Sequence, residues 1–70
     1  MLKLSARNQI KGKIVKISKG ATTSHVILDA AGTQLMASIT NEAVEDLKLA
    51  EGKSAVAVIK ASDIMVGIEE

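Results

Sequence analysis

The sequence lacks most of the residues with which small domains reinforce a limited core. Cysteine, proline, phenylalanine, tyrosine and tryptophan are all absent, and His25 is the only histidine. Disulfides and thiolate metal sites are therefore excluded, and a zinc site would need a very unusual ligand set. A domain of about 60 residues buries only about 60% of its unfolded surface, and this chain, with 70 residues, is little larger. Because 47% of its residues are nevertheless hydrophobic, we expect copies of the chain to associate and bury that surface.

Charge and hydropathy argue against two further classes of partner. The formal net charge is only +1, which does not suit a broad electrostatic partner such as duplex DNA. No apolar run approaches 18 residues, and the opening MLKLSARN has neither the apolar region nor the cleavage site of a signal peptide. We therefore expect no nucleic acid, no membrane and a cytoplasmic location.

The first half of the chain predicts three β-strands. Runs rich in β-branched residues are separated by the turn signals KGAT and AAGT, and within each run apolar residues alternate with polar ones. The first run changes its apolar face, which predicts a bend or bulge near Gly12. In the second turn, Gly32 is expected at positive φ. The predicted strands cover Gln9–Ser18, Ser24–Ala30 and a run centred on Leu35–Ile39.

The second half predicts one short helix and two more strands. TNEAVEDLKL begins with Thr40 as a candidate N-cap and has apolar residues at helical spacing. Strands are predicted over Ser54–Ala61 and Ile64–Ile68. Five strands with a helix between the third and fourth indicate an all-β fold, a five-stranded OB-like barrel, with residues 1–70 as a single domain. The fourth strand is apolar on both faces, which again favours self-association.

Two stretches collect hydrogen-bond donors beside a small residue: Ser5-Ala6-Arg7-Asn8 and Lys60-Ala61-Ser62. A tetrahedral oxyanion needs several N–H and O–H donors, and backbone N–H groups approach it only where side chains are small. The alternative is that Arg7 and Lys60 are ordinary solvated strand ends, and spacing alone favours this alternative.

Other functions find less support in the sequence. The basic stretch KGKIVK could contact nucleic acid, but OB-folds that bind single strands rely on stacking aromatics, and none are present. His25 is interpreted as a surface or interface residue. No nucleophile–His–acid set, phosphate loop or cofactor fingerprint occurs, so we expect no enzymatic activity.

Longer stretches of the sequence resemble one protein family. SARNQIKGKI, ILDAAGTQLMASIT and LKLAEGKSAVAVIKAS occur in the order typical of the molbindins, small molybdate-binding proteins also called Mop. The similarity runs from about Leu4 to Met65. It implies an OB-like barrel of the Mop/TOBE type, assembled as a homohexamer that is a trimer of dimers. It also implies molybdate or tungstate as the ligand, bound between subunits, with no cofactor and no metal cation bound directly.

The resemblance also implies which residues contact the anion. Some relatives have Ser where this chain has Ala43, which would leave a backbone N–H as the donor there. A second oxyanion site is implied more loosely at Lys19, Gly20, Ala21 and Thr22, with His25 beside it. The residues implied for the first site are Ser5, Ala6, Arg7, Thr40, Lys60, Ala61 and Ser62.

The implied role is storage or buffering of intracellular molybdate, and thus molybdenum homeostasis. An oxyanion-responsive regulatory or interaction module is the alternative, because the same domain occurs in molybdate-responsive regulators.

Overall fold

The computed structural model describes residues 7–69, and in that range it contains one antiparallel sheet of four strands with the order β3-β2-β1-β4. A six-residue helix, α1, follows β3, and a 3-10 turn follows β4. The elements are β1 (Asn8–Lys19), β2 (Thr23–Ala30), β3 (Thr33–Thr40), α1 (Asn41–Asp46), β4 (Ser54–Ile59) and the turn Ala61–Asp63.

A tight two-residue turn joins β2 to β3. Ala31 and Gly32 have φ values of 53° and 91°, and the flanking residues Ala30 and Thr33 pair directly. Hairpin turns with positive φ at both central residues match the right-handed twist of the strands. The expected positive φ at Gly32 is confirmed, and Ala31 shares that conformation despite its Cβ.

The long strand β1 pairs with a different neighbour in each half. Asn8–Lys13 pair with β4, and Lys13–Lys19 pair with β2. The register against β2 shifts between Ile14 and Lys16, so Val15 is the extra residue. The expected irregularity near Gly12 is therefore misplaced by three residues. Gly12 has another reason to be glycine: a Cβ there would lie 2.9 Å from the carbonyl oxygen of Asp29.

The core lies on the inner face of the sheet. Ile14, Val26 and Leu28 are buried, as the alternation along β2 predicts for the last two. Partly buried residues from the other elements pack around these three: Ile17, Ile39, Val44, Leu49 and Ala55. The core is small, and its hydrophobic stabilisation is correspondingly limited.

The expected fifth strand, Ile64–Ile68, is not formed within the described residues. β4 ends at Ile59 because the chain turns at Ala61–Asp63, and the segment after this turn pairs with no described strand. Met65 is 94% exposed and Val66 is 92% exposed. A strand forms only where its N–H and C=O groups pair with a neighbouring strand, and Ile64–Ile68 pairs with neither edge strand of the sheet, β3 or β4.

The sheet consequently stays open and does not close into the expected five-stranded barrel. Its inner face borders an apolar cavity of about 620 Å³, lined by residues of all four strands and by Leu47 and Leu49. The outer face of β4 exposes Val56 and Val58. Apolar surface thus remains on both faces of β4, as the sequence predicted. No helix in the described part of the chain has the length and apolarity needed to cross a membrane.

Candidate functional site

Arg7 and Lys60 lie just beyond the last rung of the ladder between β1 and β4. That rung pairs Asn8 with Ile59, and the Asn8 side-chain amide donates to the Ile59 carbonyl over 3.2 Å. Arg7 precedes Asn8 and Lys60 follows Ile59, so antiparallel pairing brings the two cations to one end of the sheet. Both are exposed. Ser5 and Ala6, also expected in this site, lie outside the described residues.

The 3-10 turn beside Lys60 adds backbone donors. Its internal hydrogen bonds run from Asp63 N–H to the Lys60 carbonyl, 2.9 Å, and from Ile64 N–H to the Ala61 carbonyl, 3.3 Å. The first N–H groups of such a turn, those of Ala61 and Ser62, have no partner inside it. Two cations and two small donor residues therefore lie together at this end, a donor set suited to an oxyanion.

Thr40 lies at the opposite end of β1. It pairs with Thr23 and is the N-cap of α1, as the sequence predicted: its Oγ1 accepts from the Ala43 N–H over 3.1 Å. That bond occupies the donor that was expected to remain at Ala43. The 12 residues of β1 separate the two ends by roughly 36 Å of strand contour. The structure therefore does not bring Thr40 to Arg7 and Lys60 within one chain.

Of the residues expected for the second site, Lys19 ends β1, and Gly20, Ala21 and Thr22 form the loop between β1 and β2, close to Thr40. Asn41 contacts this loop at three carbonyls. Its side-chain Nδ2 donates to the Gly20 oxygen, 3.0 Å, and to the Ala21 oxygen, 3.3 Å. Its backbone N–H donates to the Thr22 oxygen over 2.9 Å. The loop is thus held to the start of α1.

Sequence reasoning missed Asn41 and its partner Ser24. Ser24 is 1% exposed, and its hydroxyl donates to Asn41 Oδ1. The sequence did contain an indication that Ser24 is buried, because the alternation along β2 puts it on the same face as Val26 and Leu28. A buried hydroxyl requires a hydrogen-bond partner, but nothing in the local sequence indicates that Asn41, 17 residues away, is that partner.

His25 lies on the outer face of β2, where its cross-strand neighbours are Ser18 and Ser38. It is exposed. Across residues 7–69, no group of His, Asp or Glu side chains is arranged to hold a metal ion.

Comparisons with known proteins agree on one family. The model of the TOBE domain matches residues 4–66. A probable molybdenum-pterin-binding protein of Haemophilus influenzae is 45% identical over 69 residues, which cover 97% of this chain and all of that protein. The molybdenum transport protein ModE of Herbaspirillum seropedicae is 44% identical over 68 residues, but these cover 96% of this chain and only 25% of ModE.

Two solved structures are similar over nearly the whole chain. A molybdate-binding protein from Sporomusa ovata has a TM-score of 0.92 and 34% identity, covering 96% of this chain and all of that one. The cytoplasmic molybdate-binding protein ModG, solved with molybdate bound, has a TM-score of 0.92 and 42% identity. That match covers 97% of this chain and 49% of ModG.

Proposed function

Because this chain belongs to the molbindin family of TOBE-domain proteins, we propose that it binds molybdate or tungstate between copies of itself. Molybdate in such sites would be held as intracellular storage and released as demand changes. The proposal assigns the protein a role in molybdenum homeostasis in the cytoplasm and no catalysis.

One observation carries the proposal: the ladder between β1 and β4 ends at the pair Asn8–Ile59, and Arg7 and Lys60 lie next to each other in register just beyond that pair. The two side chains supply positive charge, and Ala61 and Ser62 supply N–H donors next to Lys60. Molybdate near neutral pH is a dianion whose four oxygens only accept hydrogen bonds. A donor-rich cluster without a carboxylate among its assigned residues suits that ion. Ser5 and Ala6 belong to the same proposed shell.

A location between subunits is supported by the position of Thr40. If one anion contacts Thr40 as well as Arg7 and Lys60, two chains must contribute, because β1 separates these residues within a chain. Association is also supported by the exposed Val56 and Val58 and by the open apolar cavity. We extend the proposal to a homohexamer built as a trimer of dimers, with a second class of site at Lys19–Thr22.

A regulatory module is the second candidate function. ModE is a much longer protein, and this chain matches only a quarter of it. The same fold can therefore operate as one part of a larger chain, where anion binding would act as a signal. The two candidates share the site and differ in the consequence of binding. A storage protein should load many anions per assembly, whereas a regulatory module should present an altered surface after loading.

Native mass spectrometry with and without added molybdate tests the proposal. We expect a hexamer in both samples and a mass increase equal to several molybdate ions in the second. The matched control is Lys11→Ala, which changes an exposed β1 cation away from the site and should keep the full anion count. An assembly that gains no molybdate at a free concentration of about 100 μM would refute the proposed function.

A further inference from the structure

The loop residues Gly20, Ala21 and Thr22 turn their carbonyl groups toward Asn41. The Gly20 and Ala21 oxygens accept from Asn41 Nδ2, and the Thr22 oxygen accepts from the Asn41 backbone N–H. Three successive carbonyls are therefore held by one residue.

The peptide geometry then decides where the N–H groups point. In a trans peptide, the C=O and the following N–H lie in one plane and point in opposite directions. Since the Gly20 and Ala21 carbonyls face Asn41, the N–H groups of Ala21 and Thr22 face away from it. Among the turn and loop hydrogen bonds of residues 7–69, neither N–H is a donor to the backbone. Successive N–H groups on one side of a loop form an anion-binding concavity.

The loop is also shaped to leave these donors accessible. Gly20 donates its own N–H to the Thr23 oxygen over 2.8 Å, and a Cβ at Gly20 would lie 2.8 Å from that same oxygen. Glycine is therefore required for this tight turn. Ala21 and Thr22 are exposed, and exposed Lys19 precedes them.

Asn41 is itself held in one orientation. The buried Ser24 hydroxyl donates to Oδ1, which leaves Nδ2 directed at the loop. A flipped amide would place an oxygen against the Gly20 and Ala21 carbonyls, which can only accept, whereas the Ser24 hydroxyl can donate to Oδ1 or accept from Nδ2. The Gly20 and Ala21 carbonyls thus select the amide orientation, and Ser24 anchors the other end of the same amide.

We propose that Asn41 is the positioning residue of the second oxyanion site: by binding three loop carbonyls, it directs the Ala21 and Thr22 N–H groups at a molybdate ion. Asn41 does not touch the anion. This inference rests on the proposed function, because it concerns how one of the proposed sites is built. It also explains why a loop with no side-chain donor except Lys19 and Thr22 can bind an anion.

Amide chemical shifts of the ¹⁵N-labelled assembly, titrated with sodium molybdate, test the inference. In the unchanged protein, the Ala21 and Thr22 amide protons should move downfield on saturation, as donors to an anion do. Asn41→Ala should weaken the response of these two amides about tenfold or more in molybdate concentration. The Ala61 and Ser62 amides report the other site in the same titration, and their response should change by less than about twofold.

Ser24→Ala is the matched control. It removes the buried hydroxyl and destabilises the same region, but it leaves Nδ2 and the Asn41 backbone N–H available to the loop. We expect the Ala21 and Thr22 response to persist in this variant. If both variants lost it equally, Asn41 would have only a general structural role and the inference would be overturned.

Failure of the inference is distinguishable from failure of the proposed function. If no amide responds in the unchanged protein, the proposed function is wrong. If Ala61 and Ser62 respond while Ala21 and Thr22 do not, the function stands and the inference falls. The titration of the unchanged protein needs no variant, so it can refute the inference even if Asn41→Ala fails to fold.

Discussion

The two ends of β1 use different means to gather donors. At the N-terminal end, Arg7 and Lys60 are exposed beyond the end of a strand ladder, and the nearby side-chain hydrogen bond runs from the Asn8 amide to the Ile59 carbonyl. At the C-terminal end, the loop Lys19–Thr22 is tied by hydrogen bonds to Asn41 and through it to buried Ser24. The N-terminal end of β1 therefore offers an anion the positive charge of side chains. The C-terminal end offers it backbone N–H groups in a loop that is fixed by hydrogen bonds.

That difference predicts different sensitivities. A site made of charged side chains loses affinity when one charge is removed, and it needs a neighbouring chain to complete its shell. A site made of backbone N–H groups tolerates side-chain changes on its surface and depends on the residues behind it. Variants at each end and competition between anions can test this contrast, beginning with the largest expected effect.

Assembly should fail when charge is placed on the exposed outer face of β4. Val58→Asp puts a carboxylate where we propose a subunit contact, and burying an unpaired charge costs far more than such a contact contributes. Light scattering at micromolar concentration should show a fall from the hexamer mass to smaller species, with loss of molybdate binding at the Arg7 end. Gln9→Asp, at the cross-strand partner of Val58, tests how far the contact extends. A stable folded wild-type monomer of 7.3 kDa would contradict the assembly and the shared site together.

Removing either cation at the Arg7 end should weaken molybdate binding without unfolding the protein. A hydrogen bond to a charged group contributes ~1.5–3 kcal/mol, so Arg7→Ala and Lys60→Ala should each cost roughly one to two decades in affinity. Titration calorimetry measures this, with Lys11→Ala as the control that should change little. Equal losses in all three variants would indicate diffuse electrostatics in place of a defined site.

Molybdate and tungstate should bind more tightly than phosphate and sulfate. Phosphate near neutral pH keeps a proton that needs an acceptor, and an unpaired buried polar group costs ~1–3 kcal/mol. Sulfate has the same charge as molybdate but shorter bonds, so some donors of a rigid shell cannot reach it. Competition titrations at fixed pH and ionic strength check this preference. Displacement of micromolar molybdate by millimolar sulfate or phosphate would contradict it.

The smallest expected effect concerns Thr40. Within one chain it lies near the C-terminal end of β1, but we propose that it contacts the anion held by Arg7 and Lys60 of a neighbouring copy. Thr40→Ala removes the N-cap bond to the Ala43 N–H and should lower the free energy of unfolding by ~1 kcal/mol. Thr40→Ser keeps the hydroxyl and should restore both stability and affinity. Chemical denaturation and calorimetry together measure the two quantities. Unchanged molybdate affinity in Thr40→Ala would remove Thr40 from the proposed shell.

Features that depend on interactions between residues close together in the sequence were predicted correctly from the sequence. Alternation of apolar residues identified the inner faces of β2 and β3, and the Thr40 cap and the positive φ at Gly32 resulted from local backbone preferences. Each of these features depends on residues within a few positions of one another, so the sequence by itself determines them. The family resemblance was equally local, because it rests on contiguous stretches such as SARNQ.

Features that depend on which strands meet were decided only by the tertiary structure. The bulge lies at Val15, just past the point where pairing of β1 with β4 ends, and Ile64–Ile68 pairs with no described strand. Arg7 and Lys60 come to the same end of the sheet because their neighbours Asn8 and Ile59, 51 positions apart, are paired. Asn41 meets Gly20 and Ser24 in the same way. A hydrogen bond between distant segments produces no periodic pattern in the sequence of either segment. Only the tertiary structure therefore shows which hydrogen-bond donors lie together at each end of β1.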